Sequence, residues 1–191
     1  SIYSSFCSKL NLLEPIFFNK FLISFNQIQF YDFQTTFLLS NEWWRLVTPM
    51  FIHFSPTHLI FNSLWIYILG REIEQLDGKI IFIFLILFTS ASSNYLQYSF
   101  SGPSLFGGLS GVVYGLLGYC FVSETFLRIN KFSLPPAIYI FMFVWLLIGF
   151  TGFLDLLGFG KIANFAHLGG LLSGILSGYI FSMYNLSLIH I

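Results

Sequence analysis

The stretch Ile80–Ser123, IIFIFLILFTSASSNYLQYSFSGPSLFGGLSGVVYGLLGYCFVS, contains no Asp, Glu, Lys or Arg. A helix needs about 20 apolar residues to cross a bilayer core of roughly 30 Å, so this run is long enough for two crossings. Ser99-Phe100-Ser101-Gly102-Pro103-Ser104 breaks it where the chain must turn. Working outward, Leu46–Gly70, Phe132–Leu154 and the run from Ile162 to the end are equally free of charge. Five spanning helices are predicted, near 51–70, 79–98, 110–126, 135–152 and 164–184. They must be helices, because lipid offers backbone N–H and C=O groups no other partner.

Composition points the same way. Only 8% of the 191 residues are charged and 56% are hydrophobic, against about 25% charged in an ordinary soluble domain. Net charge is zero, so binding of nucleic acid or another polyanion is not suggested. Cys7 and Cys120, the only cysteines, form neither a metal cluster nor a disulfide framework. The chain starts at Ser1 rather than Met and has no signal-peptide pattern, so a truncated or processed N-terminus is expected.

The first 45 residues differ from the rest. Lys9, Glu14, Pro15, Lys20 and Asp32 interrupt every apolar run. Residues 15–48 read as an aromatic-rich interfacial loop, with Trp43 and Trp44 at the headgroup boundary. The organisation expected is a 1–48 N-terminal segment (a truncated first helix and the interfacial loop), a 49–184 core and a 185–191 tail. Arg71 and Lys79 fall in one connection, Arg128 and Lys131 in the next on the same side, with only Arg45 and Lys161 opposite. The positive-inside rule then makes the 71–79 and 124–134 connections cytoplasmic.

With that orientation, three helices start on the outer side, and each carries its polar residues in its first turns. The first has His53, His58 and Asn62, the next Ser110, the last Asn164 and His167. At about 1.5 Å per residue, Ser110, His167, His58 and Asn62 are expected in one layer just below the outer surface. Ionisable and polar groups at membrane depth are costly and usually functional. The bland reading is interhelical hydrogen-bonding glue, but a serine and a second histidine at the same depth weigh against it.

Gly107-Gly108-Leu109-Ser110-Gly111 sits where a loop becomes a helix, and the free N–H groups of such a start can face a developing oxyanion. Gly111, Gly115 and Gly118 line one helix, and Gly170, Gly174 and Gly178 line another. Small-residue faces of this kind let two helices pack closely, and close packing is what a Ser110–His167 dyad requires. A serine hydroxyl needs an adjacent base, and imidazole is the natural one at neutral pH. Asp155, in the connection before the His167 helix, is not assigned a role, so a dyad is expected rather than a triad.

Together, Trp44-Arg45, His53-Phe54-Ser55 with His58 and Asn62, Gly108-Leu109-Ser110-Gly111-Val112-Val113-Tyr114 and Ala166-His167-Leu168-Gly169-Gly170 resemble the bacterial rhomboid proteases of the GlpG type. The likeness runs from about Glu42 to Tyr184, through four helices and a loop. It implies an all-α, polytopic transmembrane bundle in which the family's six-helix core lacks a clear first helix. Ser110 matches the nucleophile and His167 the general base. His58 and Asn62, with the backbone at Ser110, match the oxyanion hole. Tyr114 matches the aromatic residue packed on the base; Gly108, Gly111 and Gly170 support the site.

By the same resemblance, Glu74 matches a structural carboxylate, and Ser93 and Gln97 match residues that lead water to the site. The implied activity is cleavage of transmembrane protein substrates within the bilayer, near the outer face of a bacterial inner membrane, without metal or cofactor. Pro49 stands where relatives carry a polar residue, Arg71 where they carry a small one. Phe165 also replaces a small residue and would crowd the entrance. Two other readings stay open: an inactive rhomboid-like protein that binds or escorts membrane clients, and a channel or transporter. The second lacks repeated broken helices at matching positions.

Overall fold

The computed structural model describes residues 10–25, 27–127, 131–132, 134–153 and 162–189. Among these, five long helices follow a small antiparallel hairpin. The hairpin pairs β1 (Phe21–Ser24) with β2 (Gln27–Phe30), and the helices are α1 (Pro56–Asp77), α2 (Lys79–Ser101), α3 (Ser110–Leu127), α4 (Pro136–Phe150) and α5 (Asn164–Ile189).

Local chemistry explains the helix limits. Ser55 is extended, and its hydroxyl accepts the His58 N–H at 3.2 Å, with Pro56 as the first helical residue. This is a serine cap followed by a proline in the first turn, where its missing N–H costs no intrahelical hydrogen bond. Gly78, at φ 90°, forms the whole turn between α1 and α2, and Gly102, at φ 70°, ends α2. Two expectations change as a result. The first long helix starts at residue 56, not 51, so His53 lies ahead of it, just after a 3₁₀ turn over Thr48–Phe51. Arg71 lies on α1 rather than in a loop, because Arg-Glu-Ile-Glu-Gln-Leu favours helix and carries α1 beyond the apolar run. Glu74, on that extension, is exposed. Likewise α5 continues to Ile189 instead of giving way to a separate tail at 185.

α3 is the central helix. Every residue from Gly111 to Cys120 is buried, with α2 and α5 against it. α3 and α5 approach so closely that a Cβ on Gly170 would overlap the Gly111 carbonyl oxygen, and one on Gly174 the Gly115 carbonyl oxygen. Only glycine permits that contact. Outward-facing positions are apolar: Ile60 and Leu64 on α1, Ile140 and Phe143 on α4, Leu172 and Ile180 on α5 are all exposed. α2 and the Asn164–Tyr184 part of α5 are each long and apolar enough to cross a membrane. α4, with 15 residues, reaches only about 23 Å at 1.5 Å per residue.

Residues 15–48, expected as an aromatic-rich interfacial loop, contain the hairpin and several short helical turns. Phe21, Ile23, Ile28 and Phe30 of the hairpin cluster with Leu10, Phe17, Ile52 and Leu105. Phe25, 99% exposed with φ 46°, is at the tip. Arg45, 1% exposed, ties the segment together. Its guanidinium donates to the carbonyls of Glu14 and Phe17 at 2.6 and 2.9 Å, and pairs with the carboxylates of Glu14 and Glu42. Lys20 pairs with Glu42 at 2.8 Å. Burial alone would raise the Glu42 carboxyl, but hydrogen bonds from Lys20 and Arg45 hold it below the usual range. At the opposite end of the bundle, Lys131 pairs with Asp77. There Glu124 accepts the Phe132 N–H at 2.8 Å and the Tyr139 hydroxyl at 2.9 Å.

Candidate active site

Ser110 is the first residue of α3, and His167 lies in the first turn of α5. His167 Nε2 is 2.8 Å from Ser110 Oγ. The contact follows from the glycine packing: Gly111 and Gly170, whose backbones touch, are one residue after Ser110 and three after His167. His167 is buried, and its ring stacks on Tyr114 at 4.8 Å and 28°. The Tyr114 hydroxyl donates to the Met142 carbonyl at 3.0 Å, fixing that ring against α4. The ion pairs among the described residues involve Lys20, Arg45 and Lys131, not His167. Asp155 lies outside the described residues.

His58 and Asn62 occupy one face of α1, a turn apart. The His58 ring lies beside Gly108, where a Cβ would stand 2.8 Å from its Cε1, and Gly108 itself has φ 124°. Asn62 is 3% exposed, and its Nδ2 has no partner among the described residues. A buried amide donor left open costs free energy unless something else uses it.

Ser110 also borders a small cavity of mixed lining, to which Ser90, Ser93, Asn94, Phe106 and Val112 contribute. Gln97 sits near it. Its Oε1 accepts the Ala166 N–H at 3.1 Å, and its Nε2 donates to Ser101 at 3.0 Å. Ser93 Oγ is buried without a partner among the described residues.

A Rhomboid domain model matches residues 40–184. The chain belongs to the rhomboid family. Similar proteins include the Rhomboid protease GlpG of Serratia proteamaculans, 40% identical over 136 residues, covering 71% of this chain and 47% of that protein. That of Haemophilus influenzae is 37% identical over 141 residues, 73% of this chain and 70% of the relative. That of Yersinia pseudotuberculosis serotype O:3 is 38% identical over 136 residues, 71% and 47%. The rhomboid chain thus spans about half the length of the Serratia and Yersinia relatives it matches. It is an integral membrane protein.

Some contacts in this rhomboid site have no counterpart in the sequence reading. The Gly108 N–H donates to the Pro49 carbonyl at 3.0 Å, and the Leu109 N–H to His53 Nε2 at 3.3 Å. Pro49 therefore contributes its backbone oxygen, whatever its ring displaces. Backbone acceptors carry no residue signature, and nothing in the sequence announces them. Phe165 stacks on Phe100 of α2 at 4.7 Å and meets Phe150 of α4 edge-on at 5.3 Å. It bridges three helix ends. The Asn164 amide adds a bond to the Gly149 carbonyl at 2.7 Å.

Proposed function

We propose that this rhomboid chain is an intramembrane serine endopeptidase that cuts transmembrane segments through a Ser110–His167 dyad. The observation that carries this reading is the 2.8 Å contact between Ser110 Oγ and His167 Nε2, held by two helices packed at backbone distance. In the reaction, His167 Nε2 takes the hydroxyl proton as Ser110 Oγ attacks the scissile carbonyl carbon. The oxyanion is received by the Ser110 N–H, His58 and the open Asn62 amide. The imidazolium returns its proton to the leaving amine, and water, deprotonated by His167, releases the acyl group from Ser110. The small cavity lined by Ser90, Ser93 and Asn94, with Gln97 bonded to the adjoining Ala166 N–H, suits a water store beside that step. Tyr114 holds the imidazole plane.

A helical peptide bond is shielded and its carbonyl is already bonded, so the substrate must unwind locally. Transmembrane segments with glycine, alanine or helix-breaking residues near the outer surface are the expected class. The site lies at the end of the bundle opposite Lys79 and the Asp77–Lys131 pair, which the positive-inside rule sets on the cytoplasmic side. Outer-face cleavage in a bacterial inner membrane follows. The test is cleavage of a transmembrane substrate by detergent-purified protein, with Ser110→Ala as control. Cleavage that persists in Ser110→Ala contradicts the mechanism. Substrate binding without Ser110-dependent cleavage favours a client-escorting role.

A further inference from the structure

We propose that His53 is a positioning residue for the nucleophile, its Nε2 accepting the Leu109 N–H while its ring braces His58. The inference rests on the protease reading, and its geometry is independent of the dyad contact. Leu109 immediately precedes Ser110, and its N–H lies 3.3 Å from His53 Nε2. The neighbouring Gly108 N–H is taken by the Pro49 carbonyl at 3.0 Å. Two successive amides are thereby clamped to residues 49–53, and the chain passes from that clamp straight into Ser110. At Gly107, a Cβ would stand 2.7 Å from both the Pro49 oxygen and the Ile52 Cβ, so the segments lie backbone to backbone.

His53 also reaches the second side of the site. Its ring meets His58 edge-on, with centroids 5.0 Å apart and planes at 68°. His58 in turn lies against Gly108. One imidazole thus touches the loop leading to the nucleophile and a proposed oxyanion donor. Its own place is set by Ile52, the preceding residue, which is buried in the hairpin cluster with Phe21, Phe30 and Leu105. An imidazole nitrogen that accepts from an amide carries no hydrogen, so His53 must be neutral with its hydrogen on Nδ1. A phenylalanine would fill the same space and accept nothing; a glutamine would accept without the ring.

Three measurements test this. In micelle-solubilised wild-type protein, ¹⁵N chemical shifts of His53 should report the Nδ1–H tautomer; an Nε2–H tautomer overturns the proposal. His53→Phe should lower kcat about tenfold with KM unchanged, the scale of one lost hydrogen bond, and speed hydrogen exchange at the Leu109 amide. His53→Gln should recover most of the kcat. A His53→Phe enzyme with wild-type kcat, or a His53→Gln enzyme equally impaired, overturns it. The tautomer and the Leu109 exchange need no activity. If wild-type protein shows no Ser110-dependent cleavage, the protease reading fails while these two readouts still decide the role of His53.

Discussion

Replacing Gly170 by alanine adds one methyl at the tightest point between α3 and α5. That methyl would overlap the Gly111 carbonyl oxygen, a backbone atom in the buried first turn of α3 that cannot swing aside as a side chain could. Ordinary contact begins near 3.4 Å, so the helices must separate by about 1 Å or more to admit it. Ser110 and His167 sit one and three residues from the contact, on opposite sides of the widening gap. Their 2.8 Å approach would stretch beyond hydrogen-bond range. Overpacking of this kind costs about 1–3 kcal/mol in stability. A displacement of about 1 Å at reacting groups costs on the order of 100-fold in rate. A 100-fold rate loss is about 2.7 kcal/mol of activation free energy, so turnover should fall even where the fold survives the added methyl.

Gly178→Ala is the matched control. Its added methyl meets the Tyr119 oxygen at 2.9 Å and Val122 Cβ at 3.1 Å, three turns from His167 towards the other end. It should lower thermal stability with little effect on turnover. The assay is initial-rate cleavage of a transmembrane substrate beside thermal unfolding in the same detergent. Near-wild-type turnover in Gly170→Ala, or equal rate losses in the two variants, would refute the claim that glycine packing sets the dyad distance.

Other outcomes follow from single contacts. Asn62→Ala removes one proposed oxyanion donor and should lower turnover by up to about 100- to 1000-fold, yet less completely than Ser110→Ala; equal losses would make Asn62 structural. Tyr114→Phe keeps the ring on His167 and loses only the bond to Met142, so stability should drop about 1 kcal/mol with most activity retained, whereas Tyr114→Ala should lose both; identical behaviour would dismiss the stacking. The Glu42 carboxyl is held low in the folded protein, so its contribution to stability is complete above the unfolded-state value near 4.3 and is lost as pH falls through the folded value. Acid unfolding followed by tryptophan fluorescence should thus shift to higher pH in Glu42→Gln; an unchanged acid midpoint would show that the Lys20–Glu42–Arg45 cluster does not govern it.

The five helices were legible because lipid leaves little choice: uncharged runs of about 20 residues separated by glycine or serine breaks become helices. Helix ends were less so. The Ser55–Pro56 cap, which moves His53 off α1, was a readable signal overshadowed by the charge-free run that surrounds it. The inner end of α1 escaped because a helix with good formers continues past the bilayer, and polarity does not mark its last turn. β1 and β2 are only four residues each, and at that length alternation scarcely differs from an irregular aromatic segment. The candidate site was readable where side chains form its contacts, as in the approach of Ser110 to His167. It was opaque where main-chain groups do, as at the Pro49 carbonyl and the Leu109 amide.

The most direct measurement of the dyad is covalent. Purified protein treated with an organophosphonate serine probe should gain, by intact-mass and peptide analysis, one adduct confined to Ser110. The adduct should vanish in Ser110→Ala and fall sharply in a folded His167→Phe. Modification at another residue, or labelling of Ser110 indifferent to the loss of the His167 imidazole, would contradict the account.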